Sequence, residues 1–143
     1  MLENKEAYTV NVENDASEED MDIVQQGLWD NIEEHSKLTD LQLLAVLLRD
    51  GDRHVVGGVL GWTKRGWVEI NVVWVRADLR GKGHGTRLMQ AAEQEALARG
   101  CRQVYLSTMN FEAPEWYKKL GYELIGTLEG HRDIRYHFQK HLP

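Results

Sequence analysis

Apolar residues along the chain alternate with polar ones, recur every three to four positions, or run together, and each mode predicts an element. "AYTVNVE" (7–13) alternates, which predicts a strand. Ser17 then offers an N-cap hydroxyl, and the acids at 18–20 suit the positive end of a helix. Met21, Val24, Leu28 and Ile32 follow at i, i+3, i+7 and i+11, which extends that helix to about His35. "LQLLAVLLRD" (41–50) is apolar enough for strand or helix, and the "DGDR" turn behind it selects a strand. "HVVGGVLGW" (54–62) returns, and "KRG" (64–66) turns again into "WVEINVVWV" (67–75).

The glycine-rich "RGKGHG" (80–85) leads into "TRLMQAAEQEALARG" (86–100), a helix with Leu88, Ala92 and Ala96 on one face and Gly100 past its end. "QVYLST" (103–108) is a short buried strand. "APEWYKKL" (113–120) is a short helix with Pro114 in its first turn and Gly121 behind it. "YELIGTLEG" (122–130) and "IRYHFQKHL" (134–142) form a final hairpin. Meander and crossover are mixed, so the class is α/β with a mixed sheet, and 67–75, helix, 103–108 is one right-handed βαβ unit.

Composition narrows the function. A chain of 143 residues is expected to form one domain, 1–143, with a core of its own. One cysteine, Cys101, permits no internal disulfide, and no Cys/His cluster has zinc spacing, so no metal is expected. "MLENKEAYTV" has no apolar signal region, and no apolar run approaches the ~18 residues of a membrane span. A reducing, cytoplasmic setting is the expectation. The net charge of −6 disfavours nucleic acid as a partner. It is unevenly spread: residues 1–35 hold eleven acids and one lysine, net −10, and 36–143 hold twelve acids and sixteen bases, net +4. One surface is thus expected to favour cations and another anions.

The anion-favouring chemistry concentrates at Arg80-Gly81-Lys82-Gly83-His84-Gly85. A helix N-terminus has unpaired N–H groups, and a glycine entry lets them curl around a phosphate. Arg76, Arg80, Lys82 and Arg87 add charge nearby. The P-loop pattern is absent because Gly83 follows Lys82, and neither frame fits a dinucleotide fingerprint.

Arg80-x-x-Gly83-x-Gly85 resembles the R/Q-x-x-G-x-G/A motif of the GNAT family of N-acetyltransferases. Glu69, six residues before Val75, stands where many members carry a glutamate, and Asn110-x-x-Ala113-x-x-x-Tyr117-x-x-x-Gly121-Tyr122 is similar to a third family block. The element order agrees from residue 7 onward. The resemblance implies a mostly antiparallel sheet of about seven strands with flanking helices, splayed between its fourth and fifth strands to hold acetyl-CoA. It implies that Val73, Trp74 and Val75 present strand backbone to the acetyl and pantetheine groups. Arg80, Gly81, Lys82, Gly83, His84, Gly85 and Thr86 would wrap the pyrophosphate, with Asn110, Ala113 and Tyr117 along the arm.

The implied reaction is acetyl transfer to a primary amine by direct attack in a ternary complex. Alternation puts Glu69 on the face of Asn71 and Val73, roughly 13 Å from the latter by strand rise, a distance suited to a base acting through water. Tyr117 is the expected general acid for the departing thiolate, and Cys101 a small buried residue rather than a nucleophile. Trp29 and Glu33 near the end of the acidic helix, with His131 in the last hairpin turn, are acceptor-binding candidates. Carboxylates beside an aromatic suit a small cationic amine. Trp62, Trp67 and Trp74 are expected in the core or on a dimer face, and a homodimer is compatible with the family. Two alternatives stand: acetylation of a protein or peptide amine, and a non-catalytic acyl-CoA-binding module.

Overall fold

The structure, a computed structural model, describes residues 7–36, 40–110 and 113–143. They fall into two compact units divided between Thr39 and Asp40. The first unit holds α1 (Glu18–Ser36). Its start follows from its sequence: the Ser17 hydroxyl accepts the Asp20 N–H at 3.1 Å, and Glu18, Glu19 and Asp20 fill the first turn. Met21, Val24 and Leu28 of its apolar stripe are exposed, and Ile32 is half-buried. The predicted strand at 7–13 does not form. These residues are exposed and irregular, and alternation alone makes no strand without a neighbour to complete its hydrogen bonds.

The second unit is an α/β sheet with the predicted elements at nearly the predicted places. Strands β1 (Gln42–Arg49), β2 (Val55–Lys64) and β3 (Trp67–Val75) form a meander. A single 3-10 turn (Ala77–Leu79) and α2 (His84–Ala98) cross over to β4 (Gln103–Met109). Then come α3 (Pro114–Lys119), β5 (Glu123–Glu129) and β6 (Ile134–His141). The sheet has six strands in the order β1-β2-β3-β4-β6-β5, one fewer than expected, and only β3–β4 is parallel. Gly100 and Gly121 close their helices at φ +78° and +94°, conformations that cost glycine little.

The core lies where α2 and α3 meet the sheet. Leu88, Met89, Ala92 and Ala96 of α2 pack with Leu44, Val59, Val68 and Ile70, and the cluster continues through Leu106, Tyr117, Tyr122 and Phe138. Each large side chain buried there contributes about 1.5–3 kcal/mol. Trp67 and Trp74 are about half exposed and Trp62 is only half-buried, so none belongs to this core, one of the two places expected for them. Strand pleat explains it: their neighbours Val68 and Val75 are the residues that pack with the core.

Two irregularities shape the middle of the sheet. Leu60 pairs with Val72 and Gly61 with Ile70, which leaves Asn71 as the extra residue of a β-bulge in β3. A Cβ at Gly61 would collide with the Glu69 carbonyl oxygen, so glycine is what lets β2 approach the bulged strand. The bulge also corrects the expected parity of β3. Glu69 registers with Trp62, Val72 with Leu60 and Trp74 with Gly58, which puts Glu69 on the face of Val72 and Trp74 rather than of Val73. The second irregularity is the splay: β3–β4 pairing ends at Ile70–Leu106, although both strands continue.

Candidate functional site

Past Ile70 the β4-facing edge of β3 has no strand partner, and this edge meets the N-terminus of α2. Gly83 is the N-cap of this helix, with φ +87° and no side-chain cap, and the first turn holds no acid. α1, by contrast, has both a serine cap and three acids. The first N–H groups of α2 are therefore left for an external acceptor, and their partial positive charge is left unneutralised. Gly81 is also left-handed, at φ +75°, so the chain can fold its amides inward.

Strand edge and helix start enclose a cleft of ≈ 350 Å³. Of the residues expected to hold the cofactor, Val73, Trp74, Val75, Arg80, Gly81, Gly83, His84, Gly85, Thr86 and Ala113 line it. Lys82, Asn110 and Tyr117 do not, and Tyr117 lines a second cavity instead. Asn110 instead clasps β6, its Oδ1 accepting the Ile134 N–H at 3.1 Å. Leu79 and Trp116 also line the cleft, and the sequence reading missed both. Trp116 lies against the helix start, where a Cβ on Gly85 would come within 3.0 Å of its ring.

The charges divide their work. Arg80 donates its Nε–H to the Val75 carbonyl at 2.9 Å, which ties the loop to the strand end. Arg76 is paired with Asp78 at 2.6 Å. That hydrogen bond holds the Asp78 carboxyl below its usual range. His84 Nδ1 is shielded from solvent and meets no hydrogen-bond partner among the described residues. A buried ring nitrogen left unpaired is costly, and in the tautomer that protonates Nδ1 a phosphate oxygen would satisfy it.

The splay itself holds a smaller cavity of ≈ 140 Å³, lined by Ile70, Asn71, Val72, Val73, Leu106, Ser107, Thr108 and Tyr117. Tyr117 is buried in an aromatic group, with ring centroids 4.9 Å from Trp116 and 6.0 Å from both Tyr122 and Phe138. Glu69 is half-buried, and its Oε2 accepts the Asn71 side-chain N–H at 2.9 Å. Glu69 and the cavity are thus linked through the bulge residue.

The remaining candidates stand on other elements. Trp29 and Glu33 stand on α1, in the other unit, and His131 is exposed between β5 and β6. Cys101 is buried, and burial raises its thiol pKa, which disfavours the nucleophilic thiolate. The exposed trio Asp50, Asp52 and His54 brings possible metal-ligand atoms together. Asp50 is already engaged there, accepting the backbone N–H groups of Asp52 and His54 at 2.9 Å.

The profile of the acetyltransferase (GNAT) family matches residues 6–122. The chain is 38% identical over 90 residues to an acetyltransferase of Agrobacterium fabrum, covering 63% of this chain and 66% of that one. It is 35% identical over 80 residues to the blasticidin-S acetyltransferase of Streptomyces morookaense, covering 54% and 59%. The match thus spans less than two-thirds of each of these relatives. A crystal structure of an acetyltransferase from Agrobacterium tumefaciens superposes with a TM-score of 0.88 at 28% identity, covering 94% of this chain and all of that one.

Proposed function

From the premise that this chain belongs to the acetyltransferase (GNAT) family, we propose that it moves the acetyl group of acetyl-CoA to a primary amine of a small, cationic molecule. The observation that carries this reading is the junction of an unpaired strand edge with an uncapped helix start, next to a cavity that Tyr117 lines and that shares Val73 with the cleft. An extended carrier with a diphosphate, then amides along its arm, then a terminal thioester needs a helix start, a strand edge and a cavity in that order. The backbone of Val73 and Val75 would hold the pantetheine amides. The N–H groups of Gly83 to Thr86, with Arg80 and His84, would hold the diphosphate. Coenzyme A supplies the activated acyl carbon and the thiolate leaving group.

This chain's residues then handle two protons. A free alkyl ammonium is deprotonated to only about one part in 10³ at neutral pH, so the attacking nitrogen must lose a proton. Glu69 takes it through water, its carboxylate held by Asn71 beside the cavity. The nitrogen would attack the thioester carbon to form the C–N bond, and would shed its second proton to water as the C–S bond breaks. The Tyr117 hydroxyl would protonate the departing thiolate and regain a proton from that water. The likeness to a blasticidin-S acetyltransferase supports a small-molecule acceptor, and the net charge of −10 over residues 1–35 supports a cationic one. Trp29, Glu33 and His131 are proposed acceptor contacts on residue type and charge alone.

A thiol-release assay with acetyl-CoA tests the proposal across small cationic amines, small neutral amines and a lysine-rich peptide. Release with the small cations is expected. Release with the peptide alone would transfer the reading to protein acetylation. Cofactor binding without release on any amine would make the chain a binding module.

A further inference from the structure

Tyr105 on β4 and His137 on β6 meet across the sheet. The tyrosine oxygen lies 2.6 Å from His137 Nδ1, and the rings stack with centroids 5.9 Å apart. His137 Nε2 is shielded from solvent and finds no hydrogen-bond partner among the described residues. A buried nitrogen in that state has lost its water without compensation. The pair borders a cleft of ≈ 300 Å³, distinct from the two already described, whose other walls are Ile125, Gly126, Thr127 and Leu128 of β5.

The composition of the cleft is that of a ligand site: apolar walls and one polar pair. Gly126 registers with His137, and no atom lies within 4 Å of the position its Cβ would take. The space beside the imidazole is therefore open because that residue is glycine. Ile125 and Leu128 expose hydrocarbon on either side, and β5 is exposed along its length, so its side chains can turn aside for a guest. Glu69 registers with Tyr105, and Ser107 with His137, and registered residues project from the same side of a sheet. The pair thus shares its face with the carboxylate that serves the amine, and Ser107 lines the acetyl cavity.

We propose that this cleft receives the non-reacting body of the amine acceptor, an aromatic or branched group that carries one polar substituent, and that His137 Nε2 hydrogen-bonds to that substituent. The acceptor is then an amine with a mostly apolar body bearing one polar substituent, and His137 and Gly126 determine specificity. When the Tyr105 hydroxyl donates to Nδ1, the neutral ring offers an Nε2–H donor. When the hydroxyl accepts, Nε2 offers a lone pair. The pair can therefore match either kind of polar substituent. The inference rests on the acetyl-transfer reading for its purpose, but not for its test.

The test uses the 143-residue chain labelled with ¹⁵N-histidine, saturated with coenzyme A and titrated with tyramine, whose phenol supplies the polar substituent. The His137 ring signal, assigned with His137→Gln, is expected to shift saturably, and Gly126→Val to abolish the shift by filling the cleft. In thiol-release kinetics Gly126→Val is expected to raise KM for tyramine about tenfold or more. Its kcat, its KM for methylamine and its acetyl-CoA affinity should stay within about threefold, which also shows that the variant is folded. A His137 signal that does not move, or a Gly126→Val variant with unchanged KM, overturns the inference. A saturable shift without thiol release from any amine overturns acetyl transfer and leaves the cleft as a binding site.

Discussion

A phenol and a thiol differ by only about one to two pKa units in water, so a tyrosine can protonate a departing thiolate with little thermodynamic penalty. What the protein must supply is position. Tyr117 is held by its backbone N–H to the Ala113 carbonyl at 3.3 Å and by contact with three aromatic rings, so its ring has little room to wander. Tyr117→Phe keeps those ring contacts and removes the proton. Turnover is expected to fall about 10²-fold, while acetyl-CoA affinity by calorimetry changes less than about twofold. Unchanged turnover would exclude Tyr117 from proton transfer. A parallel loss of affinity would make its role one of holding the cofactor. The residue type and its helix are readable from the chain, but its neighbours Tyr122 and Phe138 enter only through the folded core. Tyr105–His137 was invisible for the same reason: 32 residues separate the two, and only the β4–β6 register joins them.

At the scale of elements, the glycines decide how strands and helices meet. Gly83 has φ +87° and no atom within 4 Å of the position a Cβ would take, so the obstacle to a side chain there is the backbone rather than crowding by the protein. Gly83→Ala is expected to cost about 1–2 kcal/mol in the left-handed conformation. If the loop turns to avoid that cost, the first amides of α2 rotate away, and the acetyl-CoA dissociation constant should rise about tenfold by calorimetry. An unaltered constant would remove this loop from phosphate binding. Gly61→Ala is a different case, because its methyl would strike the Glu69 carbonyl across the bulge. Overpacking of that kind costs about 1–3 kcal/mol, and denaturant unfolding should show the loss. The starts and ends of β3 and α2 were legible because turn residues mark them. The bulge was not, since it depends on register with β2, and its single extra residue reversed the face assigned to Val73. The segment 7–13 misled for the opposite reason: its alternation is genuine, but a strand also needs a partner.

For the second unit as a whole, the splay that makes the cavity also weakens the sheet. Beyond Ile70–Leu106 no ladder joins β1–β3 to β4–β6, so other contacts must hold the halves at a fixed opening. One is the core beneath α2. The other is a polar clamp: Lys140 of β6 donates to both oxygens of Glu93 on α2, at 3.0 and 3.2 Å, and to the Leu120 carbonyl at 2.8 Å. Tyr122 donates its hydroxyl to Glu93 at 2.8 Å, and Lys140 lies 5.3 Å from the Tyr122 ring centroid. Burial, reinforced by the Glu93 carboxylate, pushes the Tyr122 phenol far above its usual range, so it stays a donor. Lys140→Met removes the cation and leaves the Glu93 carboxylate partly buried beside a tyrosine alone. A loss of about 3 kcal/mol is expected, seen as a lower Tm. Replacing both partners, Glu93→Leu with Lys140→Met, should recover much of that loss, because no charge is then stranded. The two variants separate stability from function. If the clamp sets the width of the splay, the double variant will regain its Tm yet still bind acetyl-CoA more weakly than the parent chain. Full recovery of both would assign the clamp to stability only, with the opening set by the apolar core.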